Sequence, residues 1–408
     1  MGQLAKLAEL AELGELGELG ELLVAMVDVH SLVSAVQLVV IQPTPYCNLD
    51  CDYCYLPNRD SKDRLSLVLL EKIFIELFNC QFLAKTITIV WHAGEPLAMP
   101  ISFYQDAFTL IDQLHSRLGR SCSSINHAFQ TNATMLTQDW CDLIREHQVQ
   151  IGVSLDGPSF LHDSHRKTRT GVSTHASTMR GIELLNANNI PFHVITVLTQ
   201  ESLAYAEEIF NFFIAHNIKR IGFNIEEMEG INEESSFFGD RVIESYREFM
   251  QTFYALSQQV KESFQIREFE MIRNLICFGP SETGPANSQV IPFHLLTIDL
   301  HGNFSTFSPE LLSMKCNDYG DFMLGNLLSD SLASVLKSSK FQAIHRDIAA
   351  GVELCRASCE YFALCGGGAP ANKYYENGSF VSSETVYCQC NVKTLTDILL
   401  ADIENSLN

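Results

Sequence analysis

Cys47, Cys51 and Cys54 fall within eight residues, spaced C-x3-C-x2-C, just after an apolar run ending at Ile41. Thiolates this close can wrap one face of an iron–sulfur cube, which has about four irons and ordinarily takes as many thiolates. One iron is then left for a chelating ligand, so the missing fourth thiol is itself a functional signal. Structural zinc fits the loop poorly, because no fourth Cys or His lies nearby.

A second set of thiols comes late. Cys316, Cys355, Cys359, Cys365, Cys388 and Cys390 fall in the final quarter of the chain, out of a total of 13. An odd, clustered set in a chain too long to need disulfide staples reads as metal binding in a reducing cytoplasm. Zinc is a real rival at Cys355, Cys359, Cys365 and Cys388, since four thiolates also close a tetrahedral site. Cys80, Cys122, Cys141 and Cys277 read as small buried hydrophobes; Cys316 is open between buried thiol and stray ligand.

The elements that must position these groups alternate. Short β-rich runs at 38–42, 86–91, 125–130, 150–155, 192–198 and 220–225 are separated by helical stretches at 67–82, 103–118, 138–146, 174–187 and 204–215. Six strand–helix repeats predict a partial parallel barrel, an α/β fold whose chemistry sits beyond the C-terminal ends of the strands. The residues there are polar, Gly-rich or Cys-rich: the three-thiol loop, then His92-Ala93-Gly94-Glu95-Pro96, Thr131-Asn132, Ser154 with Asp156, and Asn224 with Glu226 and Glu227. Gly94 permits close backbone approach to a ligand, and Glu95 can accept from an ammonium group. Asp156 and Arg166 are equally readable as a loop ion pair. Glu226 and Glu227 point to opposite faces of an extended chain, so at most one faces the interior. His92, His162 and His193 read singly as satisfied polar residues.

The expected organisation is a low-complexity extension over 1–37, the barrel over 38–235, a helical bridge over 236–294, a Cys-rich α+β domain over 295–395 and a tail over 396–408. Leu repeats every third position in the extension, which drifts around a helix instead of forming one apolar face. With 27 Lys+Arg against 49 Asp+Glu the net charge is −22, which argues against nucleic acid or an anionic membrane surface as partner. No run of eighteen apolar residues predicts a membrane span.

With these residues in place, the chain resembles a radical S-adenosylmethionine (SAM) enzyme carrying a C-terminal SPASM domain. The resemblance covers roughly residues 38–395, and its hallmark is the C-x3-C-x-aromatic-C loop with Tyr53 as the aromatic. It implies that Cys47, Cys51 and Cys54 hold a [4Fe–4S] cluster whose open iron is chelated by SAM. One electron from the cluster then splits the sulfonium to a 5′-deoxyadenosyl radical, which abstracts a hydrogen. The family's Gly-Gly-Glu-Pro motif corresponds to Ala93-Gly94-Glu95-Pro96. Asn132, Ser154 and Asp156 fall where the family contacts SAM or lines the barrel mouth.

The second domain departs from the family pattern. The G-x4-C step reads Gly302 to Phe307, and the last step of C-x5-C-x3-C reads Ala369. Those losses fall on one auxiliary cluster, while Cys355, Cys359, Cys365 and Cys388 (or Cys390) match the ligands of the other. One auxiliary [4Fe–4S] cluster is therefore expected. Ser308 stands where anaerobic sulfatase-maturing members carry a catalytic aspartate. The segments 38–44, 54–59, 223–227 and 365–373 resemble the cyclophane-forming peptide maturases (the GrrM/OscB group). The resemblance thus implies an oxidoreductase of ribosomal-peptide biosynthesis, linking an aromatic ring carbon to the β-carbon of a nearby residue in a precursor peptide. A reductant such as flavodoxin or ferredoxin is implied as partner. Thioether formation, sulfatase-type oxidation and a non-catalytic iron–sulfur or zinc scaffold are the alternatives.

Overall fold

A computed structural model describes residues 35–119, 122–239, 241–279, 287–312 and 314–407. The expected extension lies outside the described residues up to 34, and so do residues 280–286 of the expected bridge.

Six parallel strands carry the first half: β1 (Val36–Ile41), β2 (Leu83–Trp91), β3 (Ser124–Thr131), β4 (Gln150–Ser154), β5 (Phe192–Leu198) and β6 (Arg220–Ile225). They hydrogen-bond in sequence order, β1 to β6. Parallel neighbours need crossover connections, ordinarily helical, and the sequence provides them. Between the strands run α1 (Leu67–Asn79), α2 (Ile101–Leu118), α3 (Gln138–Glu146), α4 (Ser159–His165), α5 (His175–Ala187) and α6 (Ala206–Ala215). Ser66 starts α1 as its N-cap, accepting from the Leu69 amide at 3.2 Å. The short α4, behind Pro158, is absent from the expected elements, being too brief to show a helical period.

Period-2 patterning holds the layers together. Ile87, Ile89 and Trp91 of β2 are fully buried, with Trp91 edge-on to Tyr104 of α2, while alternate residues face the barrel interior. A helical bridge, α7 (Val242–Gln258) and α8 (Arg267–Phe278), packs Phe249 and Phe253 onto Phe223 of β6 and sets the short strand β7 (Gln265–Ile266) at the sheet edge.

The hairpin β8 (Leu295–Ile298) and β9 (Asn303–Thr306) does not form a sheet of its own. Its first strand pairs in parallel with β1, Val39 opposite Leu296, so one ten-stranded sheet runs through both halves. That pairing bridges more than 250 residues of sequence and leaves no local signature. Beyond it lie the two-residue strands β10 (Lys315–Cys316), β11 (Gly320–Asp321) and β12 (Gly325–Asn326), then helices α9 (Leu332–Val335), α10 (Ser339–Ser358), α11 (Phe362–Cys365) and α12 (Pro370–Asn377). A π-helical turn at Cys388–Thr394 leads into α13 (Leu395–Leu407).

Candidate active site

The three-thiol loop leaves the C-terminal end of β1 and crosses the barrel mouth. It is pinned from several sides: the Cys47 amide donates to the Arg59 carbonyl at 3.0 Å, the Asp50 amide to the Lys167 carbonyl at 2.7 Å, and the Arg59 guanidinium to the Cys51 carbonyl at 3.1 Å. Burial pushes the Cys47 thiol up to about 12, with the Glu95 carboxylate adding to it, and burial pushes Cys51 up to about 11. Thiols so placed keep their protons unless a metal displaces them, which suits metal ligands and not free nucleophiles.

The loop after β2 is packed against the same segment. Gly94 adopts φ +60°, and a Cβ there would lie 2.5 Å from the carbonyl oxygens of Thr44 and Tyr46. Only glycine fits so close an approach. Glu95 is 1% exposed; its Oε1 accepts from Leu97 N at 2.9 Å and Thr131 Oγ1 at 2.6 Å, and its Oε2 from Asn132 N at 2.8 Å. Burial raises the Glu95 carboxyl while these bonds oppose the rise. Oε1 has both acceptor positions in use, and Oε2 keeps one for a further donor. Pro96 opens a single 3₁₀ turn, Pro96–Ala98, capped by Glu95 itself.

Ala93 sits at φ +74°, buried, where the motif it resembles carries glycine. An L-residue held there stores about 1 kcal/mol or more of backbone strain. Ala93→Gly is expected to raise stability by about 0.5–1 kcal/mol, read as the midpoint of chemical denaturation; an unchanged or lower midpoint would contradict the strain.

Asn132 reaches back to the loop, donating from Nδ2 to Asn48 Oδ1 at 2.9 Å, with Cys47 Sγ at 3.9 Å. Ser154, half-buried at the end of β4, accepts from Gln130 Nε2 at 3.0 Å. Asp156 is fully committed within the protein. It takes Arg166 Nε and Nη2 at 2.8 and 3.1 Å, Val197 N at 3.0 Å and the Tyr53 hydroxyl. Burial works against its ionisation, yet the Arg166 guanidinium holds its carboxyl below the usual range. Arg166 also lies over the Tyr53 ring at 5.3 Å. Asp156 therefore orients the loop through Tyr53 and has little capacity left for a ligand.

Glu226 and Glu227 part company after β6. The Glu226 carboxylate accepts from the Ser236 amide at 3.0 Å and from its hydroxyl, capping a 3₁₀ turn. Glu227 turns toward α12, where Asn372 Nδ2 donates to it. Around it stand Glu229, which follows the sixth strand in the sequence, and Glu310 and Glu376, which single-position reading of the sequence missed. Glu229 lies two residues from Glu227, the same-face spacing of an extended segment, and was legible to that extent. Burial pushes the Glu227 carboxyl up to about 8, reinforced by Glu310, and burial pushes Glu310 up to about 7. Glu229 is raised by burial and by the Glu227 charge. Burial raises the Tyr55 and Tyr375 hydroxyls beside them, with Glu310 and Glu229 adding to it.

In the second half, Cys355 lies in the last turn of α10, Cys359 is its C-cap, Cys365 ends α11 and Cys388 opens the π-helical turn. Burial raises Cys365, with the Cys355 and Cys359 sulfurs adding to it. Burial pushes Cys388 up to about 12, with Cys365 and Cys359 contributing. Burial pushes Cys390 up to about 12, with Glu376 and then Cys388 adding to it. Phe307, at the position of the lost G-x4-C cysteine, is 1% exposed and stacks on Phe341 and His345. Aromatic rings occupy that space. Ser308 is buried and bonded to Gln289 Oε1 at 2.7 Å. Cys316 meets Tyr374. Among the described residues no three His, Cys, Asp or Glu side chains converge on a single-ion site, and no helix is long and apolar enough to cross a membrane.

A parallel barrel with a three-thiol loop at its C-terminal mouth, a Gly-Glu-Pro turn beside it and a Cys-rich appendage defines the class of radical SAM enzymes. The chain belongs to the radical SAM superfamily, whose sequence profile matches residues 41–213. A Synechocystis sp. protein, sll1766, is 48% identical over 370 residues, spanning 91% of this chain and 92% of that one. A serine-type anaerobic sulfatase-maturating enzyme of Bacteroides thetaiotaomicron is 36% identical over 182 residues, 43% of this chain and 42% of that enzyme. In fold, the chain is similar to anSMEcpe solved with AdoMet and the Cp18Cys peptide (TM-score 0.72, 20% identity, 91% and 98% covered). It is also similar to Streptococcus suis SuiB bound to the precursor peptide SuiA (TM-score 0.60, 16% identity, 89% and 78% covered). As a radical SAM enzyme it uses a [4Fe–4S] cluster and SAM. The three-thiol donor set, buried at Cys51 and half-buried at Cys47 and Cys54, and the cradle closed by Gly94 fit that pair.

Proposed function

We propose that the chain is a peptide maturase that joins an aromatic ring carbon to the β-carbon of a neighbouring residue in a ribosomally made precursor. Cys47, Cys51 and Cys54 hold the cluster; Glu95 Oε2 and the backbone beside Gly94 and Pro96 receive SAM, with Asn132 and Ser154 at its edge and Tyr53 locked behind it. When bound, the cluster and SAM supply a 5′-deoxyadenosyl radical that removes one hydrogen atom from the substrate. Attack of the resulting carbon radical on the ring leaves one electron and one proton to be lost, so each link removes two hydrogens. Glu227, paired with Glu229 and poised by burial, takes the proton. Cys355, Cys359, Cys365 and Cys388, which we read as the ligands of one auxiliary cluster, would hold a group able to accept that electron. Glu226 serves as a cap, and Asp156 with Arg166 as a strut.

The observation that carries this reading is the group of raised carboxyls at the mouth, together with Ser308 lacking any base function. Two neighbours of the same fold are solved with peptides bound, anSMEcpe with Cp18Cys and SuiB with SuiA. The relation to sulfatase-maturating enzymes favours a second reading, oxidation of a Ser or Cys side chain to an aldehyde. Anaerobically reconstituted protein, SAM, a reductant and the peptide encoded beside the gene decide between them. A peptide lighter by two hydrogens and inert to hydroxylamine, with fragmentation suppressed between two residues, is expected. A hydroxylamine-reactive product selects the second reading; an unchanged mass sinks both.

A further inference from the structure

The segment Cys365-Gly366-Gly367-Gly368-Ala369-Pro370-Ala371-Asn372-Lys373 ends in a lysine that none of the chemistry above employs. Lys373 is 3% exposed, and its Nζ donates to the Gly351 carbonyl at 2.7 Å and to Cys355 Sγ at 3.4 Å. Among the described residues it pairs with no carboxylate. The backbone is fitted around it. A Cβ on Gly351 would lie 2.0 Å from the Phe380 carbonyl oxygen and 3.2 Å from Lys373 Nζ, so glycine there keeps the slot open.

Burying an ammonium without an opposite charge is unfavourable, and a carbonyl satisfies a donor without cancelling the charge. The adjacent group able to carry negative charge is the Cys355 sulfur. The carbonyl oxygens of Gly367 and Ser383 lie 3.7 Å from the same sulfur, where a neutral thiol could donate. Lys373 is the cationic contact of that sulfur. Cys365 Sγ likewise accepts from Gly368 N at 3.2 Å. Hydrogen bonds to ligand sulfurs, and charge beside them, set the reduction potential of a cluster.

We propose that Lys373 is a positioning residue of the auxiliary centre: its ammonium compensates the Cys355 thiolate and raises the potential of the cluster held there, making it a better electron acceptor. This rests on the reading of the Cys355 set as cluster ligands. The test compares reconstituted full-length wild type with Lys373→Met by iron content, by EPR-monitored redox titration, and by melting of loaded and metal-free protein. Wild type should carry about eight irons. In Lys373→Met the reduced-to-oxidised ratio of the auxiliary centre at fixed poise should fall about tenfold, which is about 59 mV for one electron. The barrel cluster should not move.

Metal-free Lys373→Met should melt at or above metal-free wild type, because a neutral side chain replaces an uncompensated charge, whereas the loaded variant should melt below loaded wild type. Loss of auxiliary iron with metal-free melting preserved also supports the role. A full iron complement with an unmoved midpoint overturns it, as do equal melting losses in both forms. Wild type with about four irons, all lost in Cys51→Ala, would instead remove the auxiliary-cluster reading itself.

Discussion

Cys51→Ala is expected to lose about four irons per chain and to bring 5′-deoxyadenosine formation down at least a thousandfold, to background. Cys51 is buried at the barrel mouth with its proton held up to about pH 11, so only metal makes it a thiolate at neutral pH. Two remaining thiols cannot close the face of a cube whose fourth iron is already without a protein ligand. The iron of the second half should stay, because Cys355, Cys359, Cys365 and Cys388 belong to other elements. Cys122→Ala is the matched control: that thiol is buried beside β3 and bonds the Ser124 carbonyl at 3.3 Å, so its loss affects packing and leaves iron intact. Iron analysis and product chromatography on both variants check the result. Residual SAM cleavage in Cys51→Ala would refute the ligand assignment, and the absence of 5′-deoxyadenosine from wild type, with the substitution silent, would favour a non-catalytic scaffold.

The barrel and its thiol loop were legible because their signals are local. Apolar runs at strand length, helical periods between them and three thiols in one loop each refer to a few neighbouring residues, and 192–198, 220–225 and 138–146 agree with β5, β6 and α3 end to end. What escaped was set by tertiary contact. The Asp156–Arg166 ion pair was one of two readings open in the sequence; that Tyr53 and Val197 converge on the same carboxylate from other segments was not legible there. The hairpin expected to open a separate unit completes the barrel sheet through β1, a pairing that no periodicity encodes. Glu226 and Glu227 could not be separated by alternation alone. Ser236 and Asn372, from different elements, decide which one caps a turn and which one faces the mouth.

Glu227→Gln is expected to uncouple the reaction: 5′-deoxyadenosine continues to form while cross-linked peptide falls by about a hundredfold or more, the usual scale for losing a positioned base. Glutamine keeps an oxygen for Asn372 and the volume of the side chain, so the loss reports the proton acceptor and not the fold. In wild type, burial moves the carboxyl from its ordinary 4.5 to about 8, and coupling per SAM consumed should therefore rise with pH through that region and be flat in the variant. The same burial works against stability. Between about 4.5 and 8 the folded carboxyl holds a proton that the unfolded chain releases, so its contribution is complete below 4.5 and is lost as pH climbs through 8. At pH 8.5 the neutral amide should make the variant about 1–3 kcal/mol more stable than wild type, a range reduced from the full shift because the site is partly open to water. At pH 4.5 the two should unfold together. A less stable variant at high pH, or loss of deoxyadenosine along with product, would assign Glu227 to the scaffold. Gain of stability with loss of product would identify a carboxylate kept in an unfavourable place because the last proton of the substrate has to leave through it.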